Sequence, residues 1–155
     1  MLEIERKFLV EVPQEAIRLA TKSYAIFQGY ISDDPERTVR LRIRDHEGFI
    51  NIKGISSADG TTRHEWEQQI SLDDAQALKS FCLPETIQKT RYLVPHGTHV
   101  FEVDVFAERL QGLVLAEVEL TDVNAVVNLP EWIGKEVTND IRFYNSYLAK
   151  HGMPS

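Results

Sequence analysis

Thr38-Val39-Arg40-Leu41-Arg42-Ile43-Arg44 is the stretch on which the fold turns. Val39, Leu41 and Ile43 alternate with three arginines, the period-two pattern of a strand with one apolar and one charged face. The period continues in both directions. Tyr24 to Ser32 sets Ala25, Phe27 and Ile31 against Gln28 and Tyr30, and Leu2 to Val10 sets Glu3, Glu5, Lys7 and Leu9 against Ile4, Phe8 and Val10. Further strands are expected over Phe49 to Lys53, Arg63 to Ile70, Ile87 to Val94, Val100 to Phe106 and Leu113 to Thr121. Asp45-His46-Glu47-Gly48 and Ser57-Ala58-Asp59-Gly60 read as hairpin connections. Little chain is left for helices: a short one opening at Pro13, one capped by Ser71 and running to about Phe81, and one over Asn145 to His151 stopped by Gly152. The class is α+β, β-dominated, and successive antiparallel strands suggest a closed or nearly closed barrel.

Composition narrows the function. The chain has 155 residues, which suits a single domain over 1–155. A net charge of −7 argues against a sequence-independent grip on nucleic acid or an anionic bilayer. The single cysteine, Cys82, forbids an internal disulfide and a cysteine-based zinc cluster. The five histidines show no metal-ligand spacing. Charge at Glu3, Glu5, Arg6 and Lys7 stands where a signal peptide needs its apolar stretch, and no run is long enough to span a membrane. A reduced, cytoplasmic location with no membrane partner is expected.

Sign on the polar faces is sorted by strand. Arg40, Arg42 and Arg44, and likewise Lys89 and Arg91, are wholly basic; Glu65 with Glu67, Glu102 with Asp104, and Glu117 with Glu119 are wholly acidic. Like charges two apart on one face repel, so this sorting is unusual for a face in water. Arginine forks match phosphate oxygens. Carboxylates beside them make sense where a hard divalent cation bridges to phosphate. Periodicity by itself leaves open whether these faces meet bulk water or a lumen.

Glu3-Ile4-Glu5-Arg6-Lys7 resembles the Glu-x-Glu-x-Lys signature of the CYTH, or triphosphate tunnel metalloenzyme, family. The resemblance continues in order through Gln28-Gly29-Tyr30, Val39 to Arg44, Ile52-Lys53-Gly54, Glu65-Trp66-Glu67, Lys89-Thr90-Arg91-Tyr92, Glu102 to Phe106, Gly112 to Leu120 and Leu129 to Thr138. It implies an eight-stranded antiparallel closed barrel with inward charges, a few peripheral helices, and metal-dependent chemistry on triphosphates with Mg²⁺ or Mn²⁺. The chain is most similar to the compact bacterial branch, typically hydrolases of inorganic triphosphate. Adenylyl cyclase, thiamine or nucleoside triphosphatase, and a non-catalytic polyphosphate-binding barrel are the alternatives.

Carried over residue by residue, the resemblance assigns Lys7, Arg40, Arg42, Lys53, Lys89 and Arg91 to the phosphate chain. It assigns Glu3, Glu5, Asp104, Glu117 and Glu119 to metal, with Glu65 and Glu67 as nearby support. Glu5, Lys7, Lys89 and Glu119 are the expected catalytic residues, Glu5 or Glu119 orienting and deprotonating the attacking water. Arg44 is expected in the lumen or at its mouth, Arg6 and Arg63 on the surface. The expected partner is a small triphosphate, not nucleic acid, and exposed barrel-wall aromatics would suit a homodimer.

Overall fold

A computed structural model describes residues 2–154. Its strands are β1 (Leu2–Val10), β2 (Lys22–Ser32), β3 (Arg37–Arg44), β4 (Glu47–Ser56), β5 (Thr62–Ile70), β6 (Ile87–His96), β7 (His99–Phe106), β8 (Val114–Glu119) and β9 (Ile133–Glu136). Hydrogen-bonded neighbours run β5-β4-β3-β2-β6-β7-β8-β1. β1 then returns to β5 through Leu2↔His64, Glu3↔Arg63 and Ile4↔Thr62. That short antiparallel seam closes eight strands into a barrel.

β9 lies outside the ring and is absent from the sequence reading. It pairs with β1 at Phe8↔Glu136 and Val10↔Ile133, beyond the end of the β5 pairing. Ile133-Gly134-Lys135-Glu136 has no alternation to announce it. Distant partners hold it instead: the Arg6 guanidinium donates to both Glu136 oxygens at 3.0 and 2.7 Å, and the Val137 amide donates to the Lys7 carbonyl at 2.8 Å. Arg6 thus fastens a seam on the outer wall. The hairpin expected over Asp45 to Gly48 is tighter than the sequence suggests. Arg44 already faces Glu47, and Asp45 takes the positive φ of 51°. Gly48 belongs to β4, where a Cβ would stand 2.6 Å from that of Ala75.

The three expected helices are present as α1 (Pro13–Arg18), α2 (Leu72–Leu78, continued by a 3₁₀ turn over Lys79–Phe81) and α3 (Asn145–His151). The Ser71 hydroxyl accepts the Asp74 amide at 3.0 Å, capping α2. Ser71→Ala is expected to cost about 1 kcal/mol of stability, read from a urea melt.

Most apolar strand positions point outward, and other segments of the chain cover them. α2 lays Ala75 against Leu41 and Ile43. α1 brings Ala16 to Phe8, Val94, Phe101, Val103 and Val118, with Trp132 edge-on to Phe101 at 5.6 Å. Ile87, Phe106, Leu115 and Tyr30 instead share the inner face with Gln28, Lys89 and Asp104, and Leu148 and Ala149 of α3, with Phe143, pack on them at one end of the barrel. Most apolar burial is therefore achieved on the outside, and inside only at the end that α3 covers, which frees the rest of the lumen for charge. Across β4 and β5, Ile52 and its register partner Trp66 remain exposed on the outer wall. No helix among the described residues is long and apolar enough to cross a membrane.

Candidate active site

Residues directly opposite in antiparallel strands share a face, so register decides which charges meet. Around the barrel the pairs are Gln28↔Arg42, Arg40↔Asn51, Thr38↔Lys53, Lys53↔Glu65, Glu3↔Arg63, Glu5↔Glu119, Lys7↔Glu117, Glu102↔Glu117 and Arg91↔Asp104. A cavity of about 190 Å³ runs between them. Its walls include Glu3, Glu5, Lys7, Arg40, Arg42, Lys53, Arg91, Glu117 and Glu119, all expected site residues, together with Glu65, Glu67 and Glu102.

Lys89 and Asp104 do not line it. They form a pair beneath the lumen, Nζ to Oδ2 at 2.7 Å with both side chains essentially excluded from solvent. Asp104 also receives Arg91 bidentately, at 2.8 and 2.9 Å, so its oxygens are occupied by cations. Arg63 is not a surface residue. It lines the cavity, and its Nε donates to the Gly54 carbonyl at 2.9 Å. Arg44 sits outside the cavity at the barrel end, paired with Glu47 at 3.0 Å and stacked over the Tyr24 and Phe49 rings.

Several lining residues were not singled out by sequence. Thr38 and Asn51 fall on the polar faces by alternation, but their uncharged side chains drew no attention. Tyr144, Asn145 and Ser146 come from the C-terminal segment, which no strand pattern links to a lumen. That segment reaches the lysines directly: Lys7 Nζ donates to the Phe143 carbonyl at 3.0 Å, and Lys89 Nζ to Asn145 Oδ1 at 3.4 Å.

Charge across the cavity is unevenly matched. Lys53 holds Glu3 at 2.7 Å and Glu65 at 3.6 Å, Lys7 stands 3.6 Å from Glu117, and Arg42 reaches Glu67 at 3.2 Å. Burial pushes Glu117 up, but Lys7, Arg91, Lys89 and Lys53 together outweigh it and hold the group well below the usual carboxylate range. Glu5 is the opposite case: burial, then Glu117 and Glu3, push it up to about 8. Glu119 is also raised, by burial and by Glu3 and Glu102. Neither Glu5 nor Glu119 has an ion pair or side-chain hydrogen bond among the described residues. On the basic side Arg40 is without such a partner, its Nε buried and unpaired. Burial, with Arg40 and Arg91 nearby, lowers Arg42 to about 10, and burial lowers Lys89 to about 8 against the pull of Asp104.

Among the described residues the cavity thus presents one cation without an anion on β3, Arg40, and one carboxylate without a cation on each of β1 and β8, Glu5 and Glu119. An anion is wanted on one side and a cation on the other. Glu3, Glu5, Glu117 and Glu119 supply hard oxygen donors of the kind Mg²⁺ and Mn²⁺ take. Among the described residues no three such groups are already gathered as a metal cage. The fit is in the donor chemistry and in the excess negative charge around Glu5, which a divalent cation relieves.

The family profile of the CYTH domain matches residues 1–146. The chain belongs to the CYTH family. It is 40% identical to an inorganic triphosphatase of Acetivibrio thermocellus over 150 residues, covering 96% of this chain and 94% of that protein. It is 37% identical to an inorganic triphosphatase of Nitrosomonas europaea, covering 96% and 97%. Among solved structures, an inorganic triphosphatase at 33% identity superposes with a TM-score of 0.64, covering 99% of this chain and 97% of that one. CYTH membership and the closed barrel expected from sequence both hold.

Proposed function

We propose that this CYTH protein hydrolyses inorganic triphosphate to pyrophosphate and phosphate inside the barrel, with a divalent cation, Mg²⁺ or Mn²⁺, as cofactor. The observation that carries this reading is the division of the cavity wall into an arginine side, including the unpartnered Arg40, and a carboxylate side, including the unpartnered Glu5. The similarity to inorganic triphosphatases over nearly the whole chain supports the same substrate.

Triphosphate carries several negative charges, and phosphoryl transfer asks a protein mainly for position and electrostatics. Arg40, Arg42, Lys53, Arg91 and Lys7 hold the chain so that a terminal phosphorus faces the carboxylate wall. Lys89 and Asp104 support that hold from below, fixing Arg91 and keeping a buried ammonium under the phosphates. Glu3, Glu5, Glu117 and Glu119 would hold the cation, which neutralises phosphate charge when bound. The attacking water forms the new P–O bond, the bridging P–O bond breaks, and pyrophosphate leaves. The water proton passes to Glu5 or Glu119, the two lining carboxylates that no lysine or arginine occupies among the described residues.

The test is a phosphate-release panel on the purified protein with Mg²⁺, Mn²⁺ or EDTA. Tripolyphosphate is expected to be cleaved fastest, with one phosphate and one pyrophosphate per turnover and no activity in EDTA. Faster conversion of ATP to a cyclic nucleotide would replace this reading with a cyclase. Metal-enhanced binding without any turnover would replace it with a binding barrel.

A further inference from the structure

Gln28 sits at the middle of β2 with no accessible surface, yet neither end of its carboxamide has a hydrogen-bond partner. A buried amide in that state is costly and uncommon. One flanking register partner, Ile87 of β6, is apolar and buried, and offers it nothing. The other is Arg42 of β3, on the same inner face, with its own Nε–H buried and unpartnered. A lone acceptor and a lone donor therefore belong to neighbouring residues on the same face, one step of the sheet apart. What occupies Arg42 instead is Glu67, at 3.2 Å from Nη2, an oxygen that also accepts from Asn51 at 3.1 Å.

Resting on the triphosphate reading above, we propose that Gln28 is a positioning residue for Arg42. Its carboxamide oxygen receives the Arg42 Nε–H when the guanidinium leaves Glu67 to hold a phosphate oxygen. Arg42 then has two arrangements, one tied to Glu67 in the empty barrel and one tied to Gln28 in the loaded one. The residue type suits the task. A neutral acceptor at Nε fixes the plane of the guanidinium and turns its Nη fork toward the lumen without cancelling its charge, whereas a carboxylate there would compete with the phosphate. Burial and the neighbouring Arg40 and Arg91 already disfavour the charge on Arg42, so a neutral partner that orients it adds no further charge to this crowded position.

The experiment measures tripolyphosphate affinity by calorimetry, so it does not depend on turnover. Gln28→Leu removes both orphaned amide groups. Its melting temperature without ligand is expected to equal or exceed that of wild type, while its Kd for tripolyphosphate weakens about tenfold. A residue that merely supports the fold would move stability and affinity down together. Arg42→Lys keeps the charge and deletes the Nε–H. In that background Gln28→Leu is expected to have no further effect, whereas in an Arg40→Ala background it keeps its full tenfold effect. Equal losses in both backgrounds, or unchanged affinity in the single variant, overturn the proposal. If Gln28→Leu does not fold, Gln28→Met, unbranched and of similar length, replaces it in the same cycle. A wild type that binds tripolyphosphate without cleaving it overturns the hydrolytic reading, and the cycle still decides the role of Gln28. Absence of binding overturns both.

Discussion

Replacing Glu5 by glutamine is expected to abolish triphosphate hydrolysis and, at the same time, to make the metal-free protein more stable at neutral pH. The two effects have one cause. Glu5 has no ion pair of its own among the described residues, and burial, then Glu117 and Glu3, raise it from 4.5 to about 8. In the unfolded chain it ionises normally. The sign follows from linkage: a carboxyl raised on folding adds no penalty below pH about 4.5, a growing one from there to pH about 8, and a constant one above. At pH 7 the penalty is on the order of 1–3 kcal/mol, discounted for water and relaxation in the lumen. Glutamine carries no charge to suppress, so Glu5→Gln removes the penalty. Loss of the base and metal ligand proposed at Glu5 should lower kcat by about 10²–10⁴-fold. Urea melts in EDTA at pH 5 and pH 7.5 decide the matter. The variant should match wild type at the lower pH and exceed it at the higher, and identical pH profiles would show that Glu5 is not in a crowded anionic lumen.

Arg40→Ala is the second large effect, and it separates binding from folding. Arg40 points into the cavity with no ion pair or hydrogen-bond partner among the described residues, so removing it strands no buried carboxylate. Stability should hold or rise slightly, because repulsion with Arg42 is relieved. The loss should fall on phosphate, at about 10²–10³-fold in kcat/KM, or about 2.7–4 kcal/mol, the scale of a deleted transition-state donor. Arg91→Ala makes the contrast. Asp104 would keep only Lys89 and lose two charge-assisted hydrogen bonds in a buried site, each worth about 1.5–3 kcal/mol. Arg91→Ala should therefore melt well below wild type while Arg40→Ala does not. Equal melting temperatures for all three proteins would mean that the Arg91–Asp104 pair is not buried as described. An Arg40→Ala enzyme with unimpaired kcat/KM would remove Arg40 from the substrate.

Strand positions and the acidic or basic character of each were legible because a strand's period is local: Arg40, Arg42, Glu117 and Glu119 announce a polar face by alternation within a few residues. The cap at Ser71 and the stop at Gly152 were legible for the same reason. β9 was not, since what makes Ile133–Glu136 a strand is the β1 edge and Arg6, distant in sequence. The burial of Lys89 and Asp104 was not legible either. Both sit on charged faces in the same register as lumen residues, and only the packing of Phe106 and Asn145 around Lys89 takes the pair out of the cavity.

Sequence by itself determined that alternating ribbons with sorted charge would build an antiparallel β protein, and its ordered motifs placed that protein among the triphosphate tunnels. Tertiary structure decided that the ribbons close through a three-pair seam, that α1 and α2 cover apolar faces from outside while α3 packs on the apolar end of the inner face, and that the charged faces therefore enclose a lumen. Alternation fixes that two faces differ but carries no sign for inside or outside. That sign is set by which face the remaining segments of the chain can bury, a property of the whole fold and of no single strand.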